Sequence, residues 1–166
     1  GESGIGKTTL ANTCPGETLI LSFEAGVGSL KSNDIDVIDC TLSDDNKILT
    51  VDQRLDKLKQ AFEWIKEPAQ IEKYKWVFID SLTELGELHL EKYTAFFAGG
   101  KDKFGIYRET GNDMRKIIKD FRDLPYYNVV FTALSGYDKD QDKYTVQVPG
   151  SLKDQLAGYL DEVYYY

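Results

Sequence analysis

The 166 residues contain no run of 18 apolar residues, so no helix of this chain is expected to cross a bilayer. Histidine occurs once, at His89. No histidine-built metal cluster and no Ser-His-Asp set can be assembled around a single imidazole, and His89, inside a helical pattern, reads as a surface or packing residue. Cysteine occurs twice, at Cys14 and Cys40. Neither has CxxC or CxxH spacing, so the expectation is two free thiols in a reducing cytosol. Positive charge is short: 20 Lys and Arg stand against 28 Asp and Glu, for a net charge of −8 and a pI near 4.7. A protein living by non-specific nucleic-acid binding is usually basic, so any DNA contact here needs a local patch. No internal repeat and no low-complexity tract is seen. An initiator methionine is missing as well, and the chain opens on a glycine and stops on Tyr164-Tyr165-Tyr166. The reading is a fragment cut at both ends, without the first strand of its sheet.

What is present is ordinary for a globular protein: 42% apolar and 29% charged residues, and enough length for one domain, residues 1–166, with a sizeable core. A helix is expected from Lys7 to Thr13, ended by Pro15-Gly16. Apolar β-rich runs predict strands at Thr18–Phe23, Asp36–Cys40, Lys75–Asp80 and Asn128–Leu134. Thr50 and Gln53 form a capping box ahead of a helical face of Val51, Leu55, Leu58, Phe62 and Ile65, with Pro68 beyond its end. A helix over Leu82, Leu85, Leu88 and Tyr93 is followed by a glycine-containing loop, Ala98–Gly105. A long helix then carries Tyr107, Met114, Ile117, Ile118 and Phe121. A polar turn at Asp138–Lys143 leads into a hairpin strand, Tyr144–Val148. Ser151–Leu160 reads as a short helix and Glu162 onward as a last, buried strand. Strands alternating with helices predict an α/β fold with a mostly parallel sheet flanked by helices.

Three carboxylate and glycine motifs carry chemistry. Gly1-Glu2-Ser3-Gly4-Ile5-Gly6-Lys7-Thr8 is a complete GxxxxGK[ST] loop. Its glycines let backbone N–H groups approach phosphate oxygens, and the following helix adds the positive end of its dipole. Lys7 reaches the β- and γ-phosphates, the Thr8 hydroxyl ligates magnesium, and Thr9 bonds the α-phosphate. Asp80 ends the strand WVFID, where a carboxylate faces that magnesium, with Ser81 helping to position the ion. The competing reading of Asp80 is a helix N-cap. Glu24 ends the strand begun at Thr18, one element after the loop, where a carboxylate can deprotonate the attacking water. Gly26 and Gly28 would leave room for that water. The competing reading of Glu24 is a solvated strand end. Lys101, Lys103 and Arg108 read either as a solvated loop or as contacts to DNA phosphates.

The series GESGIGKTTL, LILSFEAG, WVFIDSLTEL, NVVFTAL and LDEVYYY resembles the phage-type RecA-like ATPases, AAA-type nucleotide-binding proteins of bacteriophages linked to recombination and single-strand annealing. The resemblance covers nearly the whole chain. It implies that Lys7 and Thr8 are the Walker-A pair, Asp80 the Walker-B carboxylate and Glu24 the catalytic glutamate. The family often carries a His or Gln sensor after the strand that here is Asn128–Leu134. This chain has Leu134-Ser135 there, leaving Thr132 or Ser135 as candidates. Such proteins also borrow a basic residue from a neighbouring subunit, for which Lys139, Lys143 and Lys153 are available.

The sequence reading is therefore a RecA-like P-loop NTPase that binds and hydrolyses ATP with Mg2+. The expected setting is the cytoplasm of a bacterial host, as a homo-oligomer with single-stranded DNA as a partner and no membrane contact. Two alternatives stand beside it: a P-loop small-molecule kinase, and a non-hydrolysing nucleotide switch or assembly module. A kinase lid is rich in arginine, whereas this chain has four unclustered arginines, Arg54, Arg108, Arg115 and Arg122. No NKxD-type guanine signature is present, which favours ATP over GTP.

Overall fold

The computed structural model describes residues 6, 8–24, 34–97, 102–139 and 142–164. They fall into two compact units, one drawn from Gly6–Ser81 and Leu124–Thr132, the other from Leu82–Asp123 and Ala133–Tyr166.

The first unit is built on four parallel strands: β1 (Thr18–Ser22), β2 (Ile35–Asp39), β3 (Trp76–Asp80) and β4 (Asn128–Phe131), in the spatial order β2-β1-β3-β4. All five residues of β1 are buried. That burial explains why TLILS reads as a continuous apolar run rather than an alternation, since a parallel strand is covered on both faces. On one face Ile20 and Phe78 pack with Ala11, from a 3₁₀ helix at Thr8–Thr13, and with Leu10, Cys14, Ile35, Trp76 and Val130. Leu19, Leu21, Val77 and Ile79 alternate to the opposite face and are equally buried.

Helix α1 (Val51–Trp64) belongs to the same unit. Thr50 caps it with the expected box: its hydroxyl accepts from Gln53 N, and the Gln53 side chain accepts from Thr50 N. Leu55, Leu58, Ala61 and Ile65 form its buried stripe. Arg54 ties it to the strand ends by donating to the carbonyls of Phe23, at 2.8 Å, and Cys40, at 3.2 Å. Pro68 does more than follow a helix end. It opens a short helix, α2 (Pro68–Lys73), because proline at the first helical position sacrifices an N–H that has no intrahelical partner anyway. Both cysteines are free, and burial pushes the Cys40 thiol up to about 12 and raises that of Cys14.

The second unit pairs helix α3 (Leu82–Phe96) with helix α4 (Lys103–Arg122), with Leu82, Leu85, Leu88, Met114, Ile118 and Phe121 buried. The loop expected through Gly105 ends earlier. Asp102 accepts from the N–H of Gly105 at 2.9 Å and starts α4 two residues before that glycine. A Cβ at position 105 would lie 2.6 Å from Asp102 Oδ2, so the residue that suggested a loop is what lets the cap close. In α3, a Cβ on Gly86 would fall 2.5 Å from Pro149 Cδ.

His89 is buried, with Nδ1 2.9 Å from the Leu85 carbonyl oxygen and Nε2 3.7 Å from Asp113 Oδ2. Asp113 accepts from Tyr93 OH at 2.7 Å and from Lys92 Nζ at 3.2 Å. A hairpin of β5 (Ser135–Asp138) and β6 (Lys143–Val146) follows. Next come α5 (Leu152–Gln155) and a 3₁₀ turn at Leu156–Tyr159, where one continuous helix was expected. Glu162–Tyr164 form no strand, and Tyr164 is 71% exposed. The expected final strand is thus not seen over its described residues, Glu162–Tyr164, and its remainder, Tyr165 and Tyr166, lies outside them.

Candidate functional site

The carboxyl ends of parallel strands gather backbone and side chains where ligands bind in open α/β sheets. Of the phosphate loop, Gly1, Glu2, Ser3, Gly4, Ile5 and Lys7 lie outside the described residues. Gly6 is described, with φ of +89°, a left-handed conformation that favours glycine. Its carbonyl accepts from Leu10 N at 3.1 Å, which joins the loop's last glycine to the 3₁₀ helix. Thr8 and Thr9 open that helix, Thr8 half-buried and Thr9 exposed.

Asp80, at the end of β3, is 2% exposed. Its Oδ2 accepts from the Thr8 hydroxyl at 2.5 Å, and its Oδ1 accepts from the Thr132 hydroxyl. The backbone N–H of Thr132 donates to Ile79 O at 3.1 Å, extending the β3–β4 pairing by one residue and aiming its side chain at Asp80. Asp80 is thus no helix cap: its side-chain partners among the described residues are two hydroxyls. No cationic side chain pairs with Asp80 among the described residues, and a buried carboxylate is costly unless its charge is compensated. With the Thr8 oxygen it forms a pair of hard oxygen donors, the chemistry magnesium prefers.

Glu24 lies one residue beyond the point where β1 meets β3. Phe23 N donates to Asp80 O at 2.7 Å, the Ser22 hydroxyl donates to Glu24 O at 2.8 Å, and Arg54 holds Phe23 O. The Glu24 carboxylate accepts from the Ser81 hydroxyl through Oε1. The peptide between Asp80 and Ser81 is cis. The site therefore brings Thr8, Glu24, Asp80, Ser81 and Thr132 together at the ends of β1, β3 and β4.

Some expected roles change. Ser81, expected beside the ion, donates to Glu24. Thr132, a candidate γ-phosphate sensor, has its hydroxyl committed to Asp80. Ser135 is the first residue of β5, and Lys153 pairs with Asp138 at 3.4 Å. Arg54 and Ser22 were missed, since nothing in the sequence marks an arginine in the first turn of a helix as a clamp on a distant strand end. The arginines support no kinase lid: Arg54 is held by carbonyls, Arg108 pairs with Glu109, Arg115 bonds Asn112, and Arg122 pairs with Asp123. Among the described residues there is no cluster of three or more metal-ligating side chains and no helix long and apolar enough to cross a membrane.

A parallel α/β sheet, a GxxxxGKT loop leading into a helix, and a buried aspartate at a strand end facing that helix define a P-loop NTPase. The model of the AAA domain family matches residues 1–166, and the chain belongs to that family. No curated protein and no solved structure matches it. Membership of an AAA-type ATPase family carries nucleotide binding with it.

Proposed function

We propose that the protein hydrolyses ATP with magnesium, and that the Thr8–Asp80 contact marks the metal position. The supporting observation is the 2.5 Å hydrogen bond between Thr8 and a buried carboxylate 72 residues away. No purely structural cap demands that arrangement. Thr8 and Asp80 would hold the ion, Asp80 being kept in one rotamer by Thr132. A magnesium ion held there would offset the negative charge of the nucleotide phosphates. Lys7 neutralises the same phosphates, the loop N–H groups of Gly1–Gly6 cradle them, and Thr9 contacts the α-phosphate. Glu24 takes a proton from water as the water oxygen bonds to the γ-phosphorus. The bond from that phosphorus to the bridging oxygen breaks, ADP and phosphate leave, and the proton passes from Glu24 to solvent.

The finer biological reading rests on the resemblance of GESGIGKTTL, LILSFEAG and WVFIDSLTEL to phage-type RecA-like ATPases. It places the activity in DNA recombination or single-strand annealing, within a host cytoplasm, by a homo-oligomer acting on single-stranded DNA. The commitment of all four arginines to other partners favours a basic residue supplied in trans. Such a finger contributes about 10³–10⁵ in rate in related chemistry. Specific activity should therefore rise with protein concentration and with single-stranded DNA. Brisk turnover at nanomolar protein, flat in both series, would show a self-sufficient monomer. The metal and nucleotide assignment is tested by calorimetry with MgATP: Lys7→Ala should abolish productive binding, and unchanged affinity and turnover would sink it.

A further inference from the structure

We infer that Ser81 is a positioning residue for the Glu24 carboxylate, an inference that rests on Glu24 being the general base. Glutamate reaches its carboxylate through three rotatable bonds, and a strand-end glutamate facing solvent samples many of them. A base must instead sit within hydrogen-bond reach of the water it activates, about 2.6–3.2 Å. The structure restricts Glu24 at both ends. Its backbone is fixed by the buried Ser22 hydroxyl on its carbonyl, while the preceding residue is held by Asp80 O and by Arg54. Its side chain is held through Oε1 by Ser81, which is fully buried and lies 57 residues away in sequence.

Ser81 directly follows Asp80, so one strand end serves both carboxylates. Asp80 is offered to Thr8, while Ser81 turns Glu24 toward the same edge of the sheet. With Oε1 accepting from Ser81, Oε2 is the oxygen that takes the proton from water. Ser81 thus acts through Glu24.

The test compares Ser81→Ala, Glu24→Gln and the double variant. Each is checked by thermal melting for an intact fold, by steady-state turnover for kcat and KM, and by calorimetry for MgATP affinity. Ser81→Ala should lower kcat roughly 10–100-fold, the usual effect of removing a partner that orients a ligand or catalytic group. KM and calorimetric affinity should stay within about twofold. In the Glu24→Gln background, Ser81→Ala should have no further effect; with Glu24 present, Ser81→Thr, which keeps the hydroxyl, should recover part of the kcat lost in Ser81→Ala. A kcat within twofold of the parent overturns the inference. So does a loss of MgATP affinity as large as the loss of kcat, which would put Ser81 in nucleotide or metal binding. An equal factor in the presence and absence of Glu24 overturns it too. Failure of the base assignment shows separately, as Glu24→Gln turnover within twofold of the parent.

Discussion

The two units differ in what their buried hydroxyls do. In the sheet unit, a set of polar side chains at the strand ends is tied to residues far away in sequence: Thr8 and Thr132 to Asp80, Ser81 to Glu24, Arg54 to two carbonyls. In the helical unit, Asp113 ties α4 to α3 through Lys92 and Tyr93, whereas the Thr110 hydroxyl in α4 is buried with no hydrogen-bond partner among the described residues. Buried hydroxyls cost stability unless bonded. The sheet unit thus uses the buried hydroxyls of Ser81 and Thr132 to aim carboxylates, and the helical unit carries one, on Thr110, that meets no hydrogen-bond partner among the described residues.

The sharpest way to break this comparison is chemical. Glu24→Gln should keep ATP binding and slow hydrolysis by about 10²–10⁴-fold, the usual contribution of a positioned base, with little change in melting temperature. Turnover within twofold would make Glu24 an ordinary surface carboxylate.

Next in size comes one substitution made in both units. Thr132→Val removes the donor to Asp80 Oδ1 and should destabilise the protein by about 1–3 kcal/mol, the cost of stranding a buried acceptor. Thr110→Val keeps the shape, deletes a hydroxyl that bonds nothing, and should stabilise by roughly 1 kcal/mol. Urea unfolding of the two variants should give shifts of opposite sign. Equal signs would remove the distinction between the units.

The smallest effect is pH-dependent. Burial pushes the Asp113 carboxyl up, but hydrogen bonds from Tyr93 and Lys92 and the nearby charges of Lys92 and His89 outweigh it, leaving it below its ordinary value. A carboxyl depressed in the folded state stabilises fully above its unfolded pKa of about 3.9, and that contribution fades as pH falls through the folded value. Asp113→Asn should therefore melt below the parent at pH 7, with a gap that narrows on acidification below about pH 4. A gap independent of pH would mean that Asp113 acts by packing alone.

Much of the sheet was legible because a parallel strand covered on both faces has a one-line signature, as in TLILS and WVFID. The capping box at Thr50 and the aspartate ending β3 were legible for the same reason, since each is decided within a few neighbouring residues. What escaped was either ambiguous locally or decided by distant residues. Gly105 read as loop because its missing side chain, needed for the Asp102 cap, looks in sequence like flexibility. Ser81 was assigned to the ion because the sequence cannot show that Glu24, 57 positions earlier, reaches it first. Val163 and Tyr164 have the composition of a strand, yet neither is in one, because composition alone does not fix pairing.

Gly86 and Pro149 carry a consequence for the history of this chain. The α3 backbone at Gly86 and the ring of Pro149 meet so closely that any side chain at 86 would arrive 2.5 Å from the ring, well inside van der Waals contact. Position 86 is not free to drift alone. A descendant that gains alanine at 86 has to lose or displace the proline 63 positions later, and one that keeps the proline has to keep the glycine. Among divergent descendants a side chain should appear at 86 only where the proline has gone, an ordered pair of changes in the evolutionary record.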